Sequence, residues 1–182
     1  MASINTEIVW RYPVSSTEAR QWASIFKKEI SNETEEVPQW HDAIGFFLPS
    51  STVVNPPKLS EYNVKQIKKH NHQIHVLLTR CINNKPSGFM RVSYETIDNN
   101  LYIDMKDVYI LATYRQKKYR HTLASELSEI IKKIMNTTRS EYVHLSTTLA
   151  SVKGHALWQE IKSNLNTTKI EINTHIDPSA SL

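Results

Sequence analysis

Between Asp107 and Met135 the pattern of apolar and polar positions changes period once. Asp107–Leu111 sets Val108 and Ile110 on one side and Tyr109 and Leu111 on the other, which predicts a central strand covered on both faces. A turn over Ala112–Lys118 follows. Leu123, Leu127, Ile130, Ile131 and Ile134 then recur at helical spacing and predict a long helix with one apolar stripe. Upstream, Thr6–Arg11 reads as a short strand stopped by Pro13. Ser15 with Glu18 three residues on is a capping-box pattern, and it predicts a helix to about Ile30 that buries Ala19, Trp22, Ile25, Phe26 and Ile30. Asn32–Val37 reads as an acidic loop, Gln39–Leu48 as a short apolar helix or turn, and Pro49–Lys58 as a loop broken by its prolines. Ser60–His70 reads as a polar helix with lysines at its end.

The period then becomes two. His75–Cys81, Gly88–Thr96 and Leu101–Leu111 read as an antiparallel meander, turned at Asn83-Asn84-Lys85-Pro86 and at Asp98-Asn99-Asn100 because Asn tolerates left-handed dihedrals. Glu141–Thr147 is a further strand, reached through the long helix by a connection long enough for a parallel crossover. Ser151–Lys162 follows as a helix with Ala156, Leu157 and Ile161 inward, Lys169–His175 as a last strand, and residues 176–182 as a tail. The whole predicts one α/β (α+β) domain over residues 1–182, with a mixed, mostly antiparallel sheet flanked by helices.

Composition narrows the function classes. The chain has 182 residues and a formal charge of +4, which permits a phosphate-bearing ligand or RNA without demanding one. No apolar run reaches the roughly 18 residues needed to span a bilayer. The start, MASINTEIVWRYP, lacks a basic segment and an apolar core, so no secretory signal is expected. Cys81 is the single cysteine, which excludes an internal disulfide, and a cytoplasmic protein is the expectation. Only three glycines occur, against about 13 in an average chain of this length. Neither a Walker nor a Rossmann phosphate loop is therefore present. His70, His72 and His75 have no carboxylate or cysteine at ligand spacing, and no metal site is expected.

Charge is concentrated at one place. Arg115, Lys117, Lys118 and Arg120, with His121 beside them, lie where the central strand gives way to the long helix. A helix start presents unpaired N–H groups and the positive end of the dipole. Cations added there are unfavourable by themselves and suit a bound phosphate or pyrophosphate.

The run Asp107-Val-Tyr-Ile-Leu-Ala-Thr-Tyr-Arg115 resembles the fourth strand of the GNAT superfamily of acyl-CoA-dependent N-acyltransferases, commonly D-hydrophobic-Y-V-x-P-E-Y-R. The order and spacing of elements agree over Val76–Ile161, including the pair Gly88-Phe89. Ser151–Lys162 resembles the last conserved helix of that family, with Ser151 at its Asn, Gly154 at its Ala and Trp158 at its Tyr. The resemblance implies a GNAT-like fold and an N-acetyltransferase that moves an acetyl group from acetyl-CoA to a primary amine, directly, in a ternary complex. It implies that coenzyme A is held by the backbone of Tyr109, Ile110 and Leu111 and by Arg115, Gln116, Lys117, Lys118, Tyr119, Arg120 and His121, with Ser151 and Trp158 contributing from the last helix. It implies Asp107 as the proton acceptor, directly or through water, with Cys81 carrying no acyl group. Because the tyrosine position of the family holds Trp158, the candidates for the proton donor are Tyr109, Tyr114, Tyr119 or water. Asp104 is a second carboxylate, but on an uninterrupted strand it faces away from Asp107.

Four residues depart from the pattern. Lys118 and Arg120 replace glycines, Lys106 replaces one of a pair of acids, and Trp158 replaces the tyrosine, where an indole donates a hydrogen bond but supplies no proton and suits a packing role. The departures imply an alternative, a GNAT-shaped binding or regulatory protein without catalysis. A third reading puts RNA on the basic turn, with tRNA as substrate or ligand. The expected partners are thus acetyl-CoA and an amine on a small molecule, a protein or tRNA, with no membrane and with room for a homodimer.

Overall fold

A computed structural model of the chain describes residues 6–33, 68–70, 73–115, 117–149, 152–165 and 169–176. The elements are β1 (Ile8–Arg11), α1 (Ser16–Ser31), β2 (Lys68–His70), β3 (Gln73–Ile82), β4 (Lys85–Ile97), β5 (Asn100–Ile110), a 3-10 turn (Ala112–Tyr114), α2 (Lys117–Thr138), β6 (Tyr142–Leu149), α3 (Val152–Asn164) and β7 (Ile170–Ile176). All seven strands join one sheet in the order β1-β3-β4-β5-β6-β7, with β2 also on β3. β1 through β5 pair antiparallel, while β5–β6 and β6–β7 are parallel.

The meander turns without glycine. Asn83 and Asn84 (φ 49° and 64°) and Asp98 and Asn99 (φ 47° and 64°) fill two-residue hairpins that need left-handed backbone at both positions. Ser15 caps α1 by accepting from the Glu18 amide at 3.1 Å. Glu18 does not bond back to Ser15. Its carboxylate accepts from the Val14 amide at 2.9 Å and from Arg11 at 2.6 Å.

The sheet has a core on each face. On one side α2 and α3 cover β1, β3, β4, β5 and β6 through Leu123, Leu127, Ile130, Ile131, Ile134, Trp158 and Ile161 against Leu78, Met90, Val92, Leu101, Ile103 and Leu145. On the other, α1 sets Trp22, Phe26 and Ile30 against Leu77, Cys81, Phe89, Tyr109 and Leu111.

Three expectations are corrected. Ala156, expected inward, is exposed, because the buried stripe of α3 runs through Trp158 and Ile161 with Leu157 half-buried beside it. Ile25 is 39 % exposed, because the buried stripe of α1 runs through Ala19, Trp22, Phe26 and Ile30 and leaves position 25 on its flank. Lys68–His70 is a strand and not the end of a polar helix, since the free edge of β3 offers backbone partners at Gln73, Ile74 and His75. The rest of the expected helix from Ser60, the Gln39–Leu48 segment, the Pro49–Lys58 loop and the tail after Ile176 lie outside the described residues.

Candidate functional site

β5 and β6 pair from Asn100 opposite Tyr142 to Met105 opposite Thr147, and there the register ends. β5 runs on to Ile110 and β6 to Leu149, and beyond that last pair no β5–β6 backbone pairing continues among the described residues. The Thr147 hydroxyl donates to the Met105 carbonyl at 2.9 Å at the last pair of that ladder.

At the same level β5 bulges. Arg91 of β4 lies opposite Asp107, and the next residue, Val92, lies opposite Met105, so Lys106 is the extra residue. The bulge reverses the parity of the strand. Leu101, Ile103 and Met105 belong to the α2–α3 side, as do Val108 and Ile110, while Tyr109 and Leu111 belong to the α1 side. Asp104 and Asp107 therefore share the α1 side, although an unbulged strand separates them.

That placement changes the part Asp107 plays. It is 4 % exposed, and its carboxylate accepts from Arg91 Nε at 2.5 Å across the strand pair. The Arg91 guanidinium thus engages the carboxylate in this structure. Asp104 is the more open carboxylate, with 41 % of its side chain exposed, and Lys106 Nζ lies 3.1 Å from it.

Tyr109 is likewise engaged. Its hydroxyl donates to Glu33 Oε1 at 2.9 Å, and the ring packs edge-on to Phe26. Burial, then the hydrogen bond and charge of Glu33, hold the phenol well above its ordinary range. A hydroxyl so placed keeps its proton and shares it in a hydrogen bond with Glu33. Glu33 also takes both terminal nitrogens of Arg115, and Arg115 Nε donates to the Ile110 carbonyl at 2.7 Å. The Arg115 guanidinium lies 5.4 Å from the Tyr109 ring centroid. Arg115, expected to meet the pyrophosphate, instead ties the end of β5 to the end of α1. Tyr114 is half-buried on the 3-10 turn and packs against the α1-side core.

Of the other expected cofactor contacts, Ile110 and Leu111 line the end of β5, where the Leu111 amide donates to the Ser87 carbonyl at 2.8 Å. Lys117, Lys118, Tyr119, Arg120 and His121 begin α2 as backbone, with no acidic residue in the first turn. Their side chains, with Gln116 and Ser151, lie outside the described set. Trp158 is 2 % exposed within the α2–α3 core, so its ring packs and does not line an open cleft.

Sequence reasoning missed a buried polar cluster beneath the start of α2. Arg80 of β3 is 1 % exposed and grips Glu126 of α2 with Nε at 3.1 Å and Nη2 at 3.0 Å. Nη2 also reaches Thr122 at 3.3 Å, and the Trp10 indole donates to Glu126 at 2.8 Å. The available signal was Glu126 itself, a charge standing inside the Leu123–Leu127–Ile130 stripe. Glu33 was signalled only by the acidic run after α1, and Arg91 not at all, since its role depends on cross-strand register.

No family model and no curated protein sequence matches the chain. Among solved structures, aminoglycoside N-acetyltransferase AAC(6')-Iy in complex with CoA is similar at 9 % identity and a TM-score of 0.44, covering 94 % of each chain. A possible acetyltransferase from Clostridium difficile 630 is similar at 14 % identity and a TM-score of 0.47, covering 92 % of this chain and 95 % of its own. PaiA N-acetyltransferase from Thermoplasma acidophilum in complex with coenzyme A is similar at 14 % identity and a TM-score of 0.36, covering 69 % of this chain and 73 % of its own. Taken by itself, the chain's strand order gives the mixed, mostly antiparallel sheet flanked by helices that the GNAT resemblance implies.

Proposed function

We propose that the chain is an acyl-CoA-dependent N-acyltransferase, with acetyl-CoA as the acyl donor and a primary amine as the acceptor. The observation that carries this reading is the end of the β5–β6 pairing at Met105 and Thr147, beyond which a gap between the strands would take the thioester arm, on a strand that leads through a 3-10 turn into the cation-rich start of α2. A nucleotide's phosphates suit that helix start, where backbone N–H groups, the dipole and Lys117, Lys118 and Arg120 all favour an anion. From Leu111 back to Lys106 is five residues, about 16 Å of strand. An extended thioester arm laid along this edge puts its carbonyl near the bulge, where strand hydrogen bonding is interrupted and backbone N–H groups can polarise it.

The acceptor then approaches over the α1-side face. Its nitrogen attacks the thioester carbonyl carbon, the C–N bond forms and the C–S bond breaks, and coenzyme A leaves as a thiolate that takes up the proton the amine gives up. Asp104 is the carboxylate open to receive that proton first, directly or through water.

Titration with coenzyme A tests the cofactor half. A ligand held only by the native state stabilises it by mass action, about 2.7 kcal/mol at a hundred-fold excess over Kd, and the melting temperature rises with concentration. Lys118→Glu with Arg120→Glu abolishes the rise. A melting temperature that stays constant up to millimolar coenzyme A overturns the reading. A second reading, a binding protein without turnover, is favoured by the engagement of Asp107 with Arg91 and of the Tyr109 hydroxyl with Glu33. Binding without thiol release against a panel of amines selects it.

A further inference from the structure

We propose that Lys106 is a self-acylation site, an internal amine that takes the acyl group from a thioester bound to its own chain. The inference rests on the reading that an acyl thioester enters the gap between β5 and β6. Lys106 is the one residue that the bulge adds to β5, and it sits at the level where the β5–β6 register ends. Its side chain is 31 % exposed, so the amine is reachable, and its Nζ lies 3.1 Å from Asp104 Oδ2. That distance is within hydrogen-bond reach, the first requirement for a carboxylate that is to take a proton from an amine. The amine, its base and the closed end of the gap thus come together within three consecutive residues.

The step is balanced. Asp104 takes a proton from the Lys106 ammonium, and the neutral nitrogen attacks the thioester carbonyl carbon. The N–C amide bond forms as the C–S bond breaks. Coenzyme A departs as a thiolate, and the second amine proton goes to it. The product is an uncharged acyl-lysine, so the cation facing Asp104 is removed.

The chain carries its own control. Lys132 of α2 pairs with Glu129 at 3.3 Å, and its side chain is more exposed than that of Lys106, at 45 %. It has the same chemistry on a helix surface instead of at the gap. If reaction followed exposure alone, Lys132 would be acylated faster.

The test is mass spectrometry of the full chain after incubation with acetyl-CoA, following the two lysines in time. Lys106 is expected to acylate at least roughly ten-fold faster than Lys132, a small part of what well-oriented intramolecular reactions reach. With S-acetyl-N-acetylcysteamine, a thioester without the nucleotide, the preference is expected to vanish, and excess coenzyme A suppresses it. Lys106→Arg loses the modification and identifies the site. Asp104→Asn slows it by roughly ten-fold or more, as loss of a general base does. Equal rates at the two lysines, in protein whose melting temperature rises with coenzyme A, overturn this inference and leave the cofactor reading standing. No rise in melting temperature removes both.

Discussion

At Gly88 a single hydrogen side chain decides how closely β4 and β5 approach. A Cβ there would meet the Tyr109 carbonyl oxygen and Ile110 Cδ1 well inside van der Waals contact. Backbone cannot swing aside as a side chain can, so Gly88→Ala forces the strands apart where β5 leaves β6. The expected loss is about 1–3 kcal/mol, the range for overpacking, read from chemical denaturation. At Arg139 the exchange runs the other way. It ends α2 with φ 52°, a left-handed conformation that costs a side-chain-bearing residue roughly 1–2 kcal/mol. Arg139→Gly relieves that strain and regains only part of it, because glycine also frees the unfolded chain. The expected gain is about 0.5–1 kcal/mol, and a loss of stability on this exchange would show that the Arg139 side chain contributes a contact of its own. A chain with three glycines thus has one at a close approach and turns its hairpins on Asn and Asp.

Among elements, α2 is the one held by more than apolar contact. Arg80 and Glu126 form a buried two-bond pair with Thr122 and Trp10 around it. Such a pair is weak evidence of net stability, since desolvation of both ions offsets their attraction. It does fix direction: Glu126 reaches both nitrogens of Arg80 in one rotation of the helix only. Arg80→Met alone strands a buried carboxylate and is expected to cost about 3–5 kcal/mol, whereas Arg80→Met with Glu126→Leu recovers most of that. A denaturation double-mutant cycle reads the difference, and a double variant as unstable as the sum of its parts denies the coupling. Most of the elements were legible, because period-two and helical patterns appear as wide blocks of sequence, whereas β2, three residues set by the edge of β3, was not. The bulges were not. Lys106 and Ser87 are single extra residues in register, set by hydrogen bonds to neighbouring strands, and no local pattern announces them. For the same reason the site was half legible: Asp104, Lys106 and Asp107 stood out as charges on the central strand, but which face each takes follows from the bulge.

For the molecule as a whole, the two cores make alkaline pH the direction of weakness. Four weak acids are buried in them, and burial is the main cause that pushes each upward: Cys81 to about 11, Tyr94 to about 12, and Tyr12 and Tyr109 higher still. The Tyr12 hydroxyl is also buried with no hydrogen-bond partner among the described residues. In the unfolded chain Cys81 ionises from its ordinary value of 9.0 and the tyrosines from 10.0. Below pH 9 both states hold these protons and stability is flat with respect to them. From pH 9 upward the unfolded state loses protons that the folded state keeps, so the unfolded state is favoured and stability falls until the folded groups ionise as well. For Cys81 that window runs from about 9 to about 11, and for Tyr94 from about 10 to about 12, each on the order of 2–3 kcal/mol. Urea denaturation repeated between pH 7 and pH 11 is expected to show a level stretch and then a decline beginning near pH 9. Cys81→Ala lowers the whole curve by its small cavity but removes the first part of the decline, moving its onset toward pH 10. An onset that stays where it was denies Cys81 its part in the decline, and a curve that remains level to pH 11 overturns the upward shift of the tyrosines as well as that of Cys81.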